Sequence, residues 1–431
     1  MTGGGSSQVQ VDRAPVPGDG NTHHVQFSAL LKKITTSRRA RLALITNAIS
    51  SVGNLAVSLA VARTGSVLDL GAFAVAFSVY ALVAGLAQAA VTETVLASAP
   101  DRETLRNSAR RVVSIGLFSS AGVILVGAVL RLPYLVIVGL ALPGMLLYDY
   151  VKTISLGISQ PGRAFAQETV WTTVTLVALW LGLSHALSAM AVFVVWAASG
   201  SVIGIVGAAC VGYLVPPGWR VRSRETRLAV SFGLDFLAGT GSAQIATTLL
   251  AGMAGVAVVG ALRAGGTALG PVTLLMGTAR PLLIPFLART KEAASGARVR
   301  AAVFSTAILL CAVIPLAGGV VVVPDVLGTA FLGDNWRAAQ PLLAALAFEL
   351  VFATATAVAF AGHRVQRAGM RTLLIRSVLA PLRVVGVVGA GMLFGAKGAA
   401  TAMALMALIG LMVWWASYLS LVRTTGGSSN A

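Results

Sequence analysis

Pro216-Pro217-Gly218-Trp219-Arg220-Val221-Arg222-Ser223-Arg224-Glu225-Thr226-Arg227-Leu228 is the stretch that organises this chain. It is polar, carries four arginines, and has long apolar sequence on both sides. Counting outward from it gives six hydrophobic stretches before and six after. A bilayer core of ~30 Å needs roughly 20 apolar residues per helix. The predicted spans are 42–62, 71–92, 112–130, 133–151, 169–186, 188–214, 229–251, 256–287, 302–323, 339–361, 372–394 and 399–421. The sequence therefore predicts an all-α polytopic membrane protein of about twelve transmembrane helices.

The arginines orient it. Short loops rich in Arg and Lys stay on the cytoplasmic side. With the N-terminus inside, only eight of the 32 basic residues escape the inner loops and tails. Arg63, Arg131, Arg337 and Lys397 fall outside, while Arg263, Arg280, Arg376 and Arg383 fall within spans. A wrong span count would break this alternation, so both termini are expected in the cytoplasm. At 57% apolar and 11% charged, the chain is far from soluble proteins, where about a quarter of residues are charged. The net charge of +18 is scattered over loops that face anionic headgroups. No basic run is interleaved with aromatics as a nucleic-acid surface would be, so nucleic acid is not an expected partner.

Residues 1–28 are polar and rich in Gly, Ser and Pro, without the apolar core of a signal peptide. Val25–Arg41 has the composition of an interfacial amphipathic helix. The expected organisation is a cytoplasmic tail (1–40), a first bundle (41–215), a basic linker (216–228), a second bundle (229–423) and a short tail (424–431). The pattern restarts after the linker. Arg38-Arg39-Ala40-Arg41-Leu42 and Arg224-Glu225-Thr226-Arg227-Leu228 each precede a span, and Gly71-Ala72 and Gly260-Ala261 each lie near the start of the next. Both halves begin inside, so the repeat is parallel, an arrangement that puts substrate sites between halves in many transporters.

Enzyme chemistry has little to stand on. There is no Gly-x4-Gly-Lys-Ser/Thr loop, no His-Glu-x-x-His and no Cys-x-x-Cys. The longest outer loop, about Pro324–Ala338, offers only Asp325 and Asp334 as acids. Cys210 and Cys311 lie in hydrophobic spans, where a free thiol serves as a small apolar group. Neither a cofactor nor a metal is expected.

Charges inside the spans are the informative residues. Arg263, Arg280 and Arg383 all lie in the second half. Facing lipid, they would together cost on the order of 8–10 kcal/mol, so they must face water or carboxylates. Helix depth suggests Asp235–Arg280 and Glu349–Arg383 as pairs. Guanidinium also matches phosphate in a two-pronged geometry, which makes these arginines candidate ligands for an anionic group. The predicted span 256–287 is interrupted by Gly265-Gly266, Gly270-Pro271, Pro281 and Pro285, and broken helices commonly line transport sites. Gly200-x3-Gly204 and Gly391-x3-Gly395 read as close helix packing. Glu93, Asp149 and Glu168 share a similar inner depth and are candidates for a cytoplasmic gate.

Several segments together carry a resemblance. Gly71–Leu96, Ala261–Pro271 running on to Ala279-Arg280-Pro281-Leu282-Leu283-Ile284-Pro285, and Phe331-Leu332-Gly333-Asp334-Asn335-Trp336 before Pro341-Leu342-Leu343 resemble O-antigen-type polysaccharide flippases. These belong to the multidrug/oligosaccharidyl-lipid/polysaccharide exporter superfamily. The likeness runs over Leu42–Val422, through loose, mostly apolar motifs. It implies two six-helix bundles in a V, alternating access, and movement of a polyprenyl-phosphate-linked saccharide across a bacterial plasma membrane. Arg263, Arg280 and Arg383 would then hold the phosphate, with Asp235 and Glu349 as charge partners or ion-coupling groups. Expected partners are membrane lipid, the polyprenyl-linked glycan and glycosyltransferases of its pathway. A multidrug antiporter of the same superfamily and a non-transporting scaffold for glycan assembly are the alternatives.

Overall fold

The computed structural model describes residues 38–98, 100–219 and 223–427. Residues 1–37 of the expected tail and interfacial segment lie outside the described residues, while residues 38–40 begin a helix and the expected C-terminal tail is helical as far as Gly427. Every long element is a helix. The first half holds α1 (Arg38–Thr64), α2 (Val67–Leu96), α3 (Arg102–Val129), α4 (Pro133–Gly157), α5 (Pro161–Leu183) and α6 (Ala189–Val211). After the linker come α7 (Ser223–Phe236), a π-helical turn (Leu237–Gly241) and α8 (Ser242–Ala254). Then follow α9 (Val256–Ala268), α10 (Gly270–Ala288), α11 (Ser295–Val321), the short α12 (Asp325–Leu332), α13 (Asn335–Val365) and α14 (Gly369–Gly427).

Local chemistry sets these boundaries. Ser66 and Asp69 form a reciprocal capping box at the start of α2, with Ser66 N donating to Asp69 Oδ2 at 3.0 Å and Asp69 N to Ser66 Oγ at 3.1 Å. Asp101 and Ser188 cap α3 and α6, and Pro133 and Pro161 open α4 and α5 at a position that has no amide hydrogen to lose. The tight turn before Pro133 is made by Arg131 in a left-handed conformation (φ 54°).

Among the described residues, nine helices are long and apolar enough to cross a membrane. α14 is longer than any predicted span because it turns back at Gly395 (φ 62°). Its two arms lie side by side, as the 3.2 Å bond from Arg371 Nη1 to Ser420 Oγ shows. The predicted spans 229–251 and 256–287 are each delivered in two pieces, α7 with α8 and α9 with α10. The second break falls at Leu269, between the glycine pair and Pro271, whereas Pro285 is absorbed within α10.

The first half packs around an aromatic cluster of Phe73, Tyr148, Trp171, Phe193 and Trp196. Glycines allow the closest approaches. The Trp171 ring covers Gly200, and the backbone of α4 at Gly144 meets Gly204. Of the other glycine pair, Gly391 takes Leu250 against it and Gly395 makes the turn. Cys210 and Cys311 lie on exposed helix surfaces, not in the core.

The two halves are joined most closely by α2 and α9. Gly71 faces the carbonyl of Val256, and Gly260 faces the carbonyl of Val67, with no room for a Cβ at either. Nearby, Asn335 Nδ2 donates to the carbonyls of Ala62 (2.6 Å) and Gly65 (2.8 Å) in the α1–α2 turn. This is the end that the arginine bias assigns to the outside, here the outer end. Linker residue Gly218 is tied to α3, its amide donating to Ser114 Oγ at 2.9 Å. Arg111 of α3 pairs with Glu225 of α7 at 3.1 Å.

Overpacking a close contact costs about 1–3 kcal/mol, so Gly260→Val should lower the thermal unfolding temperature in detergent by several degrees. Gly122→Ala, on an open helix face with no heavy atom within 4 Å of the new Cβ, should leave it level or raise it. Equal behaviour of the two variants would contradict the close α2–α9 crossing.

Candidate functional site

Three adjoining cavities run along the second half. The largest, about 860 Å³, lies at the inner end between the end of α2, α7 and the α13–α14 turn, and is bordered by Glu93, Asp235, Arg364, Arg367 and Arg376. The next, about 630 Å³, shares Arg376 and Thr240 with it and adds Glu349 and Arg383. The third, about 230 Å³, shares Arg383 and Ala243 with the second and reaches Ser78, Gln244 and Arg263. Among the described residues, five arginines and three carboxylates border this path.

The arginines are placed by helical spacing. Arg376 and Arg383 are seven residues apart on the first arm of α14, so they stand on one face two turns apart. Arg383 Nη2 donates to Glu349 Oε1 at 2.5 Å, the pair expected from depth. Asp235 is engaged differently. Arg376 Nη1 donates to Asp235 Oδ1 at 2.6 Å, and Arg364 Nη2 donates to Oδ2 at 3.3 Å. Both guanidinium groups also lie over the Phe360 ring, at 4.4 and 5.0 Å from its centroid. The expected partner of Asp235, Arg280, is in the backbone of α10, but its side chain lies outside the described residues.

The π turn explains why Asp235 reaches α14. An extra residue in a helical turn breaks the regular bonding ladder and redirects the side chains before it. Gly239 leaves helical geometry here (φ −96°, ψ −105°). Arg376 Nη1 also binds the main-chain carbonyl of Asp235 at 3.2 Å. Its guanidinium lies against Gly239, where a Cβ would stand 3.0 Å from Nη1. Glycine at 239 thus makes room for the arginine that fixes the bend.

Arg263 is held by the opposite half. Its Nη2 donates to Ser58 Oγ of α1 at 2.6 Å, and its guanidinium lies 5.2 and 4.8 Å from the Phe73 and Phe77 ring centroids of α2. Its Nε has no hydrogen-bond partner among the described residues, and no described carboxylate pairs with it. Aromatic faces contribute about 0.5–2 kcal/mol to a cation without neutralising it. Arg263 borders the third cavity without a described acidic partner.

Of the three gate candidates, Glu93 borders the inner cavity and takes a 3.3 Å hydrogen bond from Gln88. Asp149 and Glu168 turn into the first half. Asp149 accepts from Tyr80 Oη at 2.7 Å, and Glu168 from Tyr148 Oη at 2.8 Å and Lys152 Nζ at 3.0 Å. Asp149 and Glu168 are neighbours that share the charge of Lys152, whereas Glu93 stands apart from them on the cavity path. Arg364 and Arg376, which sequence reading did not single out as site residues, border the cavities instead. The seven-residue spacing from Arg383 was the signal available for Arg376.

No family model matches this chain, and no curated protein does. Solved structures do. An inward-facing multidrug resistance MATE family transporter of the MOP superfamily aligns with a TM-score of 0.66 and 16% identity, over 94% of this chain and 99% of that one. The lipid II flippase MurJ in an inward closed conformation aligns at 0.65 with 9% identity, over 89% and 90%. An outward-facing MATE family transporter aligns at 0.55 with 16% identity, over 90% and 97%. The fold is that of these transporters, and the chain is a multi-pass membrane protein.

The Glu349–Arg383 pair is partly buried, and breaking such a pair costs more than removing both partners, because the survivor is left uncompensated. Glu349→Gln should therefore destabilise more than the Glu349→Gln, Arg383→Gln double variant. A double-mutant cycle on thermal unfolding in detergent should give a coupling of about 0.5–3 kcal/mol. Additive effects would show that the pair contributes nothing.

Proposed function

We propose that this protein is a flippase that carries a polyprenyl-phosphate-linked saccharide from the inner to the outer leaflet of a bacterial plasma membrane. The observation that carries this reading is the polarity of the cavity path. Arginines outnumber carboxylates, and the path ends at Arg263, a cation with no described acidic partner. Guanidinium groups bind phosphate oxygens through paired, charge-assisted hydrogen bonds. Arg263, Arg280 and Arg383 are the phosphate ligands in this reading, joined by Arg364 and Arg376 at the entrance. The elongated path suits a bulky headgroup better than a small solute.

In this reading the chain crosses the membrane twelve times, with both termini inside and two six-helix halves at 41–215 and 229–423. The better alignment with the inward-facing transporter than with the outward-facing one supports an inward-open resting state. The outer contacts of Asn335, Gly71 and Gly260 close the far side. Phosphate arriving at Arg376 and Arg364 takes the place of the Asp235 carboxylate. Glu93 then closes on the basic residues of the α13–α14 turn while the outer contacts part. A transmembrane ion or proton gradient drives the cycle, with Asp235 or Glu349 as the coupling carboxylate. Glycosyltransferases that build the saccharide are the natural partners.

A multidrug antiporter is the second reading, because a multidrug transporter structure aligns as well as a lipid flippase does. Organic cations call for an excess of carboxylates, and this path has the opposite balance. A scaffold without transport would leave the lipid pools unchanged.

Depletion of the protein separates the readings. Polyprenyl-linked sugars should accumulate in the inner leaflet, measured by their accessibility to an impermeant sugar-modifying reagent in oriented vesicles. Unchanged lipid pools with altered dye efflux would overturn the flippase in favour of the antiporter.

A further inference from the structure

The first half carries a groove and a cavity that share no lining residue with the arginine path. Between α5 and α6 the helices touch at Trp171 and Gly200 and then separate towards the inner end. The groove so formed has a volume of about 520 Å³ and is walled by Val170, Val202, Val206 and Gly207. The three valines are more than half exposed, at 53%, 58% and 55%. Residues 202–211 cover about 13 Å along α6, close to one leaflet of a ~30 Å hydrocarbon core.

At its inner end the groove runs into a polar cavity of about 690 Å³, sharing Arg163, Cys210 and Val211 with it. Arg102, Arg163 and Tyr213 all border this cavity. Arg102 lies over Gly212, the left-handed residue (φ 75°) that ends α6, with Nη2 3.7 Å from where a Cβ would stand. Neither guanidinium pairs with a carboxylate among the described residues. Gln160, at the start of α5, borders the same cavity, and no side chain caps this positive helix end.

We propose that this composite site binds one anionic glycerophospholipid of the inner leaflet. Its phosphate would lie between Arg102 and Arg163, and one acyl chain along the α5–α6 groove. The charge complementarity selects an acidic head, and a groove of one leaflet's length fits an acyl chain where a long isoprenoid would overrun it. This site shares no lining residue with the three cavities of the arginine path, so it does not depend on what that path carries.

Native mass spectrometry of the full chain in detergent, with dioleoyl phosphatidylglycerol or dioleoyl phosphatidylcholine added, tests the assignment. Wild type should retain phosphatidylglycerol selectively. Arg102→Gln with Arg163→Gln should weaken its binding roughly thirtyfold, the equivalent of about 2 kcal/mol from two interfacial arginines. Gly207→Leu, filling the groove and leaving both charges, should weaken both lipids alike. Arg131→Gln at the outer end should change neither. Unaltered retention in the double-arginine or Gly207 variants, or equal retention of phosphatidylcholine by wild type, would overturn the site. Displacement of phosphatidylglycerol by an equimolar polyprenyl phosphate would overturn the choice of a glycerophospholipid.

Discussion

A guanidinium placed among apolar helices must be hydrated, paired or wrapped, because hydrocarbon offers it nothing. This constraint shapes the whole second half. Arg383 is paired with Glu349, and Arg376 and Arg364 share Asp235. Arg263 uses a third solution, two aromatic faces and a serine from the other half. Each solution leaves open space beside the charge, and the spaces join into a path. Pairing removes the cost of burial, whereas wrapping by Phe73 and Phe77 keeps a positive potential at the end of the path. A low-dielectric site strengthens such a potential, which is why a single uncompensated arginine carries weight in the functional reading.

Arg263 also has a mechanical consequence. It belongs to α9, yet its described contacts are with α1 and α2, next to the crossing where Gly71 and Gly260 admit the opposing backbone. In the proposed reading, occupancy at Arg263 is coupled to the outer contact between halves. At the inner end, Arg376 binds both the side chain and the carbonyl of Asp235 beside the π turn of α7. A phosphate competing for Arg376 would loosen this bend. In the proposed reading, the cations that bind the ligand are also the groups that brace neighbouring helices. A conformational change needs such a difference in contacts between states.

Much of the fold was legible in the sequence, because hydropathy and loop charge report on single helices. The Glu349–Arg383 pair was legible for the same reason, since depth alone aligned two charges on neighbouring helices. The partners of Asp235 were not. The π turn at Leu237–Gly241 redirects it towards α14, and only the glycines of Leu237-Ala238-Gly239-Thr240-Gly241 hint at that. Arg263 was read as needing water or a carboxylate. Its contacts to Ser58 and the Phe73–Phe77 pair lie about two hundred residues away in sequence, beyond what depth counting can find. Asp149 and Glu168 have the depth of a gate, but the helix faces that carry them turn into the first half, towards Tyr80 and Tyr148. Depth is written in the sequence, and facing is decided by packing.

The central claim is that the path ends in a cation reserved for a phosphate. Binding of a short-chain polyprenyl phosphate to the purified protein, compared between wild type and Arg263→Gln, tests it most directly. A charge-assisted hydrogen bond is worth about 1.5–3 kcal/mol, so affinity should fall at least about tenfold, while the neutral polyprenol should bind weakly and equally to both. Equal affinity of the two proteins for the phosphate, with both folded, would contradict the account.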